Sequence, residues 1–239
     1  MVKTNEITVL NGRVRLLQPE DGFRTSIDAV LLAAACPAKV KDSVIDLGCG
    51  VGAIGMCLVA RVPDISLTGI DIQEDHIDLA KQNAAFNNIT ANFLYADVRS
   101  FETNDRFNHV ICNPPFLEDG THSRSPSAPR AKALGHEETS LDDWITVAFN
   151  LIKGQGSFTL IHRADHIDKI ISLLTPRFGA IEIIPLWPKE GVAAKRIIIR
   201  ARKHSKSPAK IHAGIILHDK NGNYTDAAET ILRKGNKIA

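Results

Sequence analysis

The chain has 239 residues, 44% of them hydrophobic and 23% charged, with a formal net charge of +2. That length gives one large domain with a sizeable core, and the near-neutral charge is by itself no argument for a nucleic-acid partner. The longest apolar run, Ala29 to Ala38, is interrupted by Pro37, and it is far short of the roughly 20 residues that span a bilayer. Met1 to Glu6 lack the apolar core of a signal peptide, so a cytoplasmic protein with no membrane partner is expected. Cys36, Cys49, Cys57 and Cys112 have no CxxC spacing and read as reduced core thiols. The nine histidines are scattered, and no metal site is expected.

Along the chain, Ile7 to Leu10, the pair Asn11-Gly12 and Arg13 to Leu17 predict a hairpin, because Asn-Gly tolerates the positive φ angles of a tight turn. A helix should start near Ser26 and stop before Pro37. Strands and helices then alternate: strand 43–47, helix 53–61, strand 66–72, helix 74–88, strands 92–96 and 107–112, helix 141–152, strand 157–161, helix 165–174, and strands 180–186 and 196–201. Continuous apolar strands imply burial on both faces. Their alternation with helices predicts an α/β fold with a doubly wound, mostly parallel, seven-stranded sheet. No helical pattern separates the last two strands, which predicts an antiparallel pair. Residues 1–40 read as a hairpin and helix packed on the core, 41–204 as the core, and 205–239 as a small extension with a strand near Ile215 and a helix from Thr225 to Arg233. Between Leu117 and Ser140 no regular pattern appears, and irregular loops of that length are commonly functional or disordered.

Two stretches carry chemistry. Asp46-Leu47-Gly48-Cys49-Gly50-Val51-Gly52 is a Gly-rich turn between a strand and a helix, where a ligand can approach backbone and the helix N-terminus. Alone it is a weak signal, shared with dinucleotide-binding proteins, although the G-x-G-x-x-G form is not met: position 53 is Ala. Asp71, with Ile72 after it, ends the next strand, where a carboxylate can accept both hydroxyls of a ribose. Asp97, with the Val98 N–H beside it, ends the third strand, where it can accept from an adenine amino group. Asp46 can meet an ammonium directly or through water. The plain alternative for each acid is a solvated strand end or a helix cap, and for Asp71 and Asp97 the binding role is the favoured reading. The second stretch, Asn113-Pro114-Pro115-Phe116, follows an apolar strand. The Asn113 side-chain oxygen and the Pro114 carbonyl can both accept from a planar NH2 group and direct its lone pair, and Phe116 can stack on a base. Taken alone it reads as well as a strand ending in a Pro-Pro turn.

The turn, Asp71, Asp97 and the Asn-Pro-Pro-Phe tetrapeptide together resemble the class I S-adenosylmethionine-dependent N-methyltransferases. Asp21-Gly22-Phe23-Arg24 leading into Asp28 to Leu32, Leu160 to Asp165, and Ile231-Leu232-Arg233 are similar to the bacterial tRNA(Val) adenine-37 N6-methyltransferase family. The resemblance implies a Rossmann-like sheet, S-adenosyl-L-methionine as cofactor and a tRNA adenine as acceptor. It also implies that Phe23, Arg24, Thr25 and Asp28 lie over the cofactor with Asp46, Gly48, Gly50, Gly52, Asp71, Ile72, Asp97, Val98 and Asn113. Asn113, Pro114, Pro115 and Phe116 would form the catalytic set. RNA is then expected at the carboxyl ends of the parallel strands, against Arg124, Arg130, Lys132, Arg163 and Lys189. The basic run from Arg200 to Lys210 should point away from that face if its strand is antiparallel. Two other readings remain: a glutamine N-methyltransferase acting on a translation factor, disfavoured by the short hairpin leader, and a cofactor-binding protein without catalysis.

Overall fold

The computed structural model describes residues 3–21, 25–115 and 139–238. The amino-terminal hairpin pairs β1 (Thr4–Val9) with β2 (Val14–Pro19). Its loop is the four residues Leu10 to Arg13, wider than Asn-Gly alone. Leu10 takes φ 52° and buries its side chain at 2% exposure, so pairing ends one residue early on each side. Helix α1 (Ile27–Ala35) starts where expected: the Ser26 hydroxyl accepts the Asp28 N–H.

The core then alternates as β3 (Ser43–Leu47), α2 (Ala53–Arg61), β4 (Ser66–Asp71), α3 (Glu74–Phe86), β5 (Ala91–Tyr95) and β6 (Phe107–Cys112). After residue 139 it continues with α4 (Leu141–Leu151), β7 (Ile152–Arg163), α5 (Ile167–Leu174), β8 (Phe178–Trp187) and β9 (Arg196–Lys203). Helix α5 begins two residues later than its pattern, after a 3-10 turn at Ala164–His166. The seven core strands lie in the order β5-β4-β3-β6-β7-β9-β8, with β9 alone antiparallel to both neighbours. The sheet reaches nine strands because β10 (Lys210–Ile211) and β11 (Ile215–Ile216) each add two residues in parallel along β8. The tail continues into α6 (Asp226–Leu232), and Ile238 N–H donates to Ala34 C=O at 2.9 Å. One sheet face packs on the hairpin, α1, α2, α3 and α6, the other on α4 and α5. Strand interiors such as Val110, Ile111, Leu160, Ile161, Ile198 and Ile199 are fully buried, the two-sided burial that continuous apolar runs imply. All four cysteines are free and buried. No helix among the described residues is long and apolar enough to cross a membrane.

The hairpin docks through side-chain amides. Asn83 on α3 is fully buried; its Oδ1 accepts Leu17 N–H at 2.7 Å, and its Nδ2 donates to Leu17 C=O at 3.0 Å and to Val51 C=O at 2.9 Å. One helical turn on, Asn87 repeats the pattern on Arg15, accepting its N–H at 2.9 Å and donating to its C=O at 2.6 Å. The repeat works because four helical residues rise about 6 Å, close to the spacing of alternate strand residues. A primary amide, with donor and acceptor side by side, takes the place of a neighbouring strand along the free edge of β2.

Replacing Asn83 by Ala strips three backbone groups of their partner, with a predicted loss of about 2–4 kcal/mol in urea unfolding. Asn87→Ala, at a half-buried position, should lose only about 0.5–1.5 kcal/mol. Equal losses at the two sites would show that the buried amide has no special part in docking the hairpin.

Candidate active site

The carboxyl ends of β3, β4, β5, β6, β7 and β8 lie on one edge of the sheet. Chain order reverses between β3 and β6, the position at which open α/β sheets form a ligand crevice. The Gly-rich turn fills this position. Gly48 needs to be glycine twice over: its φ is +68°, and a Cβ there would come within 2.7 Å of Trp144 Cη2. Gly52 N-caps α2 at φ +83° with no side-chain cap, which leaves first-turn N–H groups for an acceptor from outside the helix.

Asp46 and Asp71 flank this turn. Asp46 is 1% exposed, and neither of its carboxylate oxygens has a hydrogen-bond partner. Burial, and then the nearby charge of Asp71, pushes its pKa well above the usual carboxylate range. A buried carboxyl without a donor is costly, and a ligand ammonium is the group that would relieve it. Asp71 is 6% exposed; it accepts Gly50 N–H at 2.8 Å and Gln73 N–H at 2.9 Å. Burial raises its pKa too, against the lowering effect of these amides. Each Asp71 oxygen keeps acceptor capacity beyond its one amide, as two ribose hydroxyls require. Ile72 follows, half-buried.

Asp97 is committed locally. It caps the 3-10 turn Val98–Ser100, accepting Arg99 N–H at 2.9 Å and the Arg99 guanidinium at 3.1 Å. The cap reading of this residue is therefore present in the structure, with the buried Val98 beside it.

Cys112 pairs with Leu47 across β6 and β3, so Asn113 leaves its strand alongside Gly48. Asn113 is half-buried, Pro114 buried and Pro115 exposed. Phe116, Arg124, Arg130, Lys132, Phe23 and Arg24 lie outside the described residues. Thr25 N–H donates to the buried Gln18 Oε1 at 3.0 Å, and Asp28 pairs with Arg196 at 3.3 Å, which ties α1 to the first residue of β9. Arg163 ends β7 on the same edge, paired with Asp165 at 2.5 Å, and Lys189 is exposed in the β8–β9 turn. Because β9 is antiparallel, its basic run leaves this edge. Arg200 is engaged by Glu182 at 2.6 Å, and Lys203 donates to the carbonyls of Phe149 and Ile152, around the end of α4. Among the described residues no group of three or more His, Cys, Asp or Glu is placed to hold a metal ion.

The sequence reading passed over Trp144, Asn83 and Gln18. A Ser140-to-Asp143 capping box just before the first buried residue of α4 was the signal that fixes where Trp144 stands.

Residues 24–128 match the family model of the methyltransferase small domain. The tRNA1(Val) (adenine(37)-N6)-methyltransferase of Vibrio campbellii is 24% identical over 218 residues, covering 90% of this chain and 89% of that protein. A solved structure from Agrobacterium tumefaciens, described as a predicted O-methyltransferase, superposes with a TM-score of 0.70 at 26% identity, covering 88% of this chain and 97% of that one. The T. thermophilus 16S rRNA N2 guanine methyltransferase, solved with AdoMet and guanosine, gives a TM-score of 0.58 at 15% identity over 84% of this chain and 50% of that one. With this sheet order, this Gly-rich turn and these matches, the chain is an S-adenosylmethionine-dependent methyltransferase with a Rossmann-like sheet.

Proposed function

We propose that the chain methylates the exocyclic N6 amine of an adenine in tRNA, with adenine-37 of a tRNA(Val) as the acceptor. The observation that carries this reading is the position of Asn113-Pro114-Pro115, which emerges beside the cofactor turn at the carboxyl edge of the sheet. The match along about nine-tenths of a tRNA adenine N6-methyltransferase supports the choice of acceptor.

An aromatic amine is a poor nucleophile because its lone pair is delocalised into the ring. The Asn113 side-chain oxygen and the Pro114 carbonyl accept its two N–H groups and draw the nitrogen toward tetrahedral geometry. Placed dipoles of this kind act most strongly in the transition state. Asn is neutral, so its half-buried position carries no charge penalty. Phe116 stacks on the base, and Pro115 stiffens the segment between them. The cofactor, when bound, would supply a methyl on a sulfonium leaving group, so Asn113 and Pro114 would need only to hold and orient the amine, with no strong base before attack. Asp46 holds the ammonium of the cofactor, Asp71 the ribose hydroxyls, with Ile72 against the adenine ring. Asp97 and the Val98 N–H read the adenine edge, and Phe23, Arg24, Thr25 and Asp28 cover it. Arg163 and Lys189 on the same edge, with Arg124, Arg130 and Lys132, contact RNA phosphates.

Labelled S-adenosylmethionine with total bacterial tRNA, followed by nucleoside digestion and mass analysis, should yield N6-methyladenosine. Asn113→Ala should lower turnover roughly a hundred- to a thousand-fold and leave cofactor affinity within about threefold, because its neutral amide is one of many contacts around the cofactor. Loss of binding and turnover in step would remove the role given to Asn113. Label in a protein amide but not in tRNA would turn the assignment to a glutamine acceptor.

Asp71→Ala should weaken S-adenosylhomocysteine binding by about tenfold or more in calorimetry; an unchanged affinity would place the ribose contact elsewhere.

Asp46 gives a pH dependence. Its folded pKa is raised, so its contribution to stability is fully present below the unfolded carboxylate value and is lost as pH rises through the folded one. Binding an ammonium favours the ionised form. Affinity for S-adenosylhomocysteine should therefore fall as pH drops through the raised Asp46 value, with proton release on binding, and Asp46→Asn should flatten that dependence. A profile unchanged by the substitution would dissociate Asp46 from the ammonium.

A further inference from the structure

Trp144 is a large aromatic packed directly on the cofactor turn that the proposed reaction has not used, and unlike Phe93, which packs on Gly52, it carries a polar atom. It stands in the first turn of α4, immediately after the Ser140 capping box, and is 6% exposed. The benzene edge of its indole lies against Gly48, with Cη2, Cζ3 and Cζ2 at 2.7, 3.2 and 3.8 Å from where a Cβ would stand. Its Nε1–H is fully buried and has no acceptor. Tyr and Trp usually find a partner for the polar atom when buried, since a stranded donor costs free energy that a Phe or Leu would avoid. Asp46, two residues before Gly48, holds the opposite defect, a pair of buried acceptors with no donor. A stranded donor and stranded acceptors on the two flanks of one turn are complementary to a zwitterion.

We propose that Trp144 is a positioning residue for the α-amino-acid end of the cofactor: its ring fixes the Gly48 turn, and its indole N–H is satisfied by the carboxylate of that end. The benzene edge accounts for Gly48; the nitrogen accounts for Trp at 144.

Calorimetry on the full chain with two ligands tests this. S-adenosylhomocysteine carries the amino-acid end, and 5′-methylthioadenosine lacks it. Trp144→Phe should lower affinity for S-adenosylhomocysteine about tenfold or more while 5′-methylthioadenosine changes less than about twofold. In a Trp187→Phe background, Trp144 is the sole tryptophan, because the chain has two, and excitation at the red edge of the absorption band selects it over the tyrosines. Its emission should shift with S-adenosylhomocysteine and stay put with 5′-methylthioadenosine. If the chain carrying Trp144→Phe proves too unstable to assay, this single-tryptophan protein, which keeps residue 144 intact, still decides. Equal weakening of both ligands, unchanged affinity for both, or the same emission response to both would overturn the proposal and leave Trp144 a packing residue.

Discussion

One buried amide sets the geometry on which the site rests. Asn83 joins three parts of the chain remote in sequence: α3, the edge of β2 and the Val51 carbonyl inside the cofactor turn. A charged side chain there would carry a desolvation penalty, and an apolar one would leave backbone groups stranded. With Asn83 in place, Gln18 is held where its side chain accepts the Thr25 N–H, so the stretch entering α1 is positioned by the same element that braces the turn. The leader and the turn share a single anchor.

The antiparallel β9 organises the charge. It brings Arg196 to the crevice edge, where Asp28 meets it, and carries Arg200 and Lys203 to the far edge, where both serve intramolecular contacts. Seven lysines and arginines close together in sequence are thus divided by strand direction. A basic run in a sequence is an electrostatic surface only if its strand stays on one side of the sheet, and this one does not.

The fold was legible where one physical cause dominates. Apolar runs such as Val44-Ile45 and Val110-Ile111 can satisfy no environment but a strand buried on both faces, and Ser26 and Thr225 cap helices with their own hydroxyls. The missing helix between β8 and β9 foretold their antiparallel pairing. The rest needed tertiary information. Asn83 and Asn87 sit in a helix whose other residues are largely polar, and nothing local separates a solvated Asn from one that pairs a strand. Strands β10 and β11 have two residues each and owe their existence to the open edge of β8. At the site, the glycines, Asp46, Asp71 and Asn113 stand where the sequence put them, in the turn after β3 and at strand ends, because a strand-to-helix turn is written in consecutive residues. Asp97 was only half readable, because Arg99 two residues on supplies its partner. Trp144 was not readable, because its contact with Gly48 exists only once α4 has packed against β6 and β7.

The central place of β9 also imposes an order on synthesis. β8 touches the main sheet only through β9, and β7 has one edge bare until β9 arrives. A ribosome emits the chain from its amino end, so β7 and β8 leave the exit tunnel before the strand that joins them. During that interval a nascent chain displays unpaired, strongly apolar strand edges, the kind of surface that recruits chaperones or neighbouring nascent chains. Fragments ending between Trp187 and Arg196 should share the same exposure, and the sheet closes only when its second-to-last core position is filled by its last core strand.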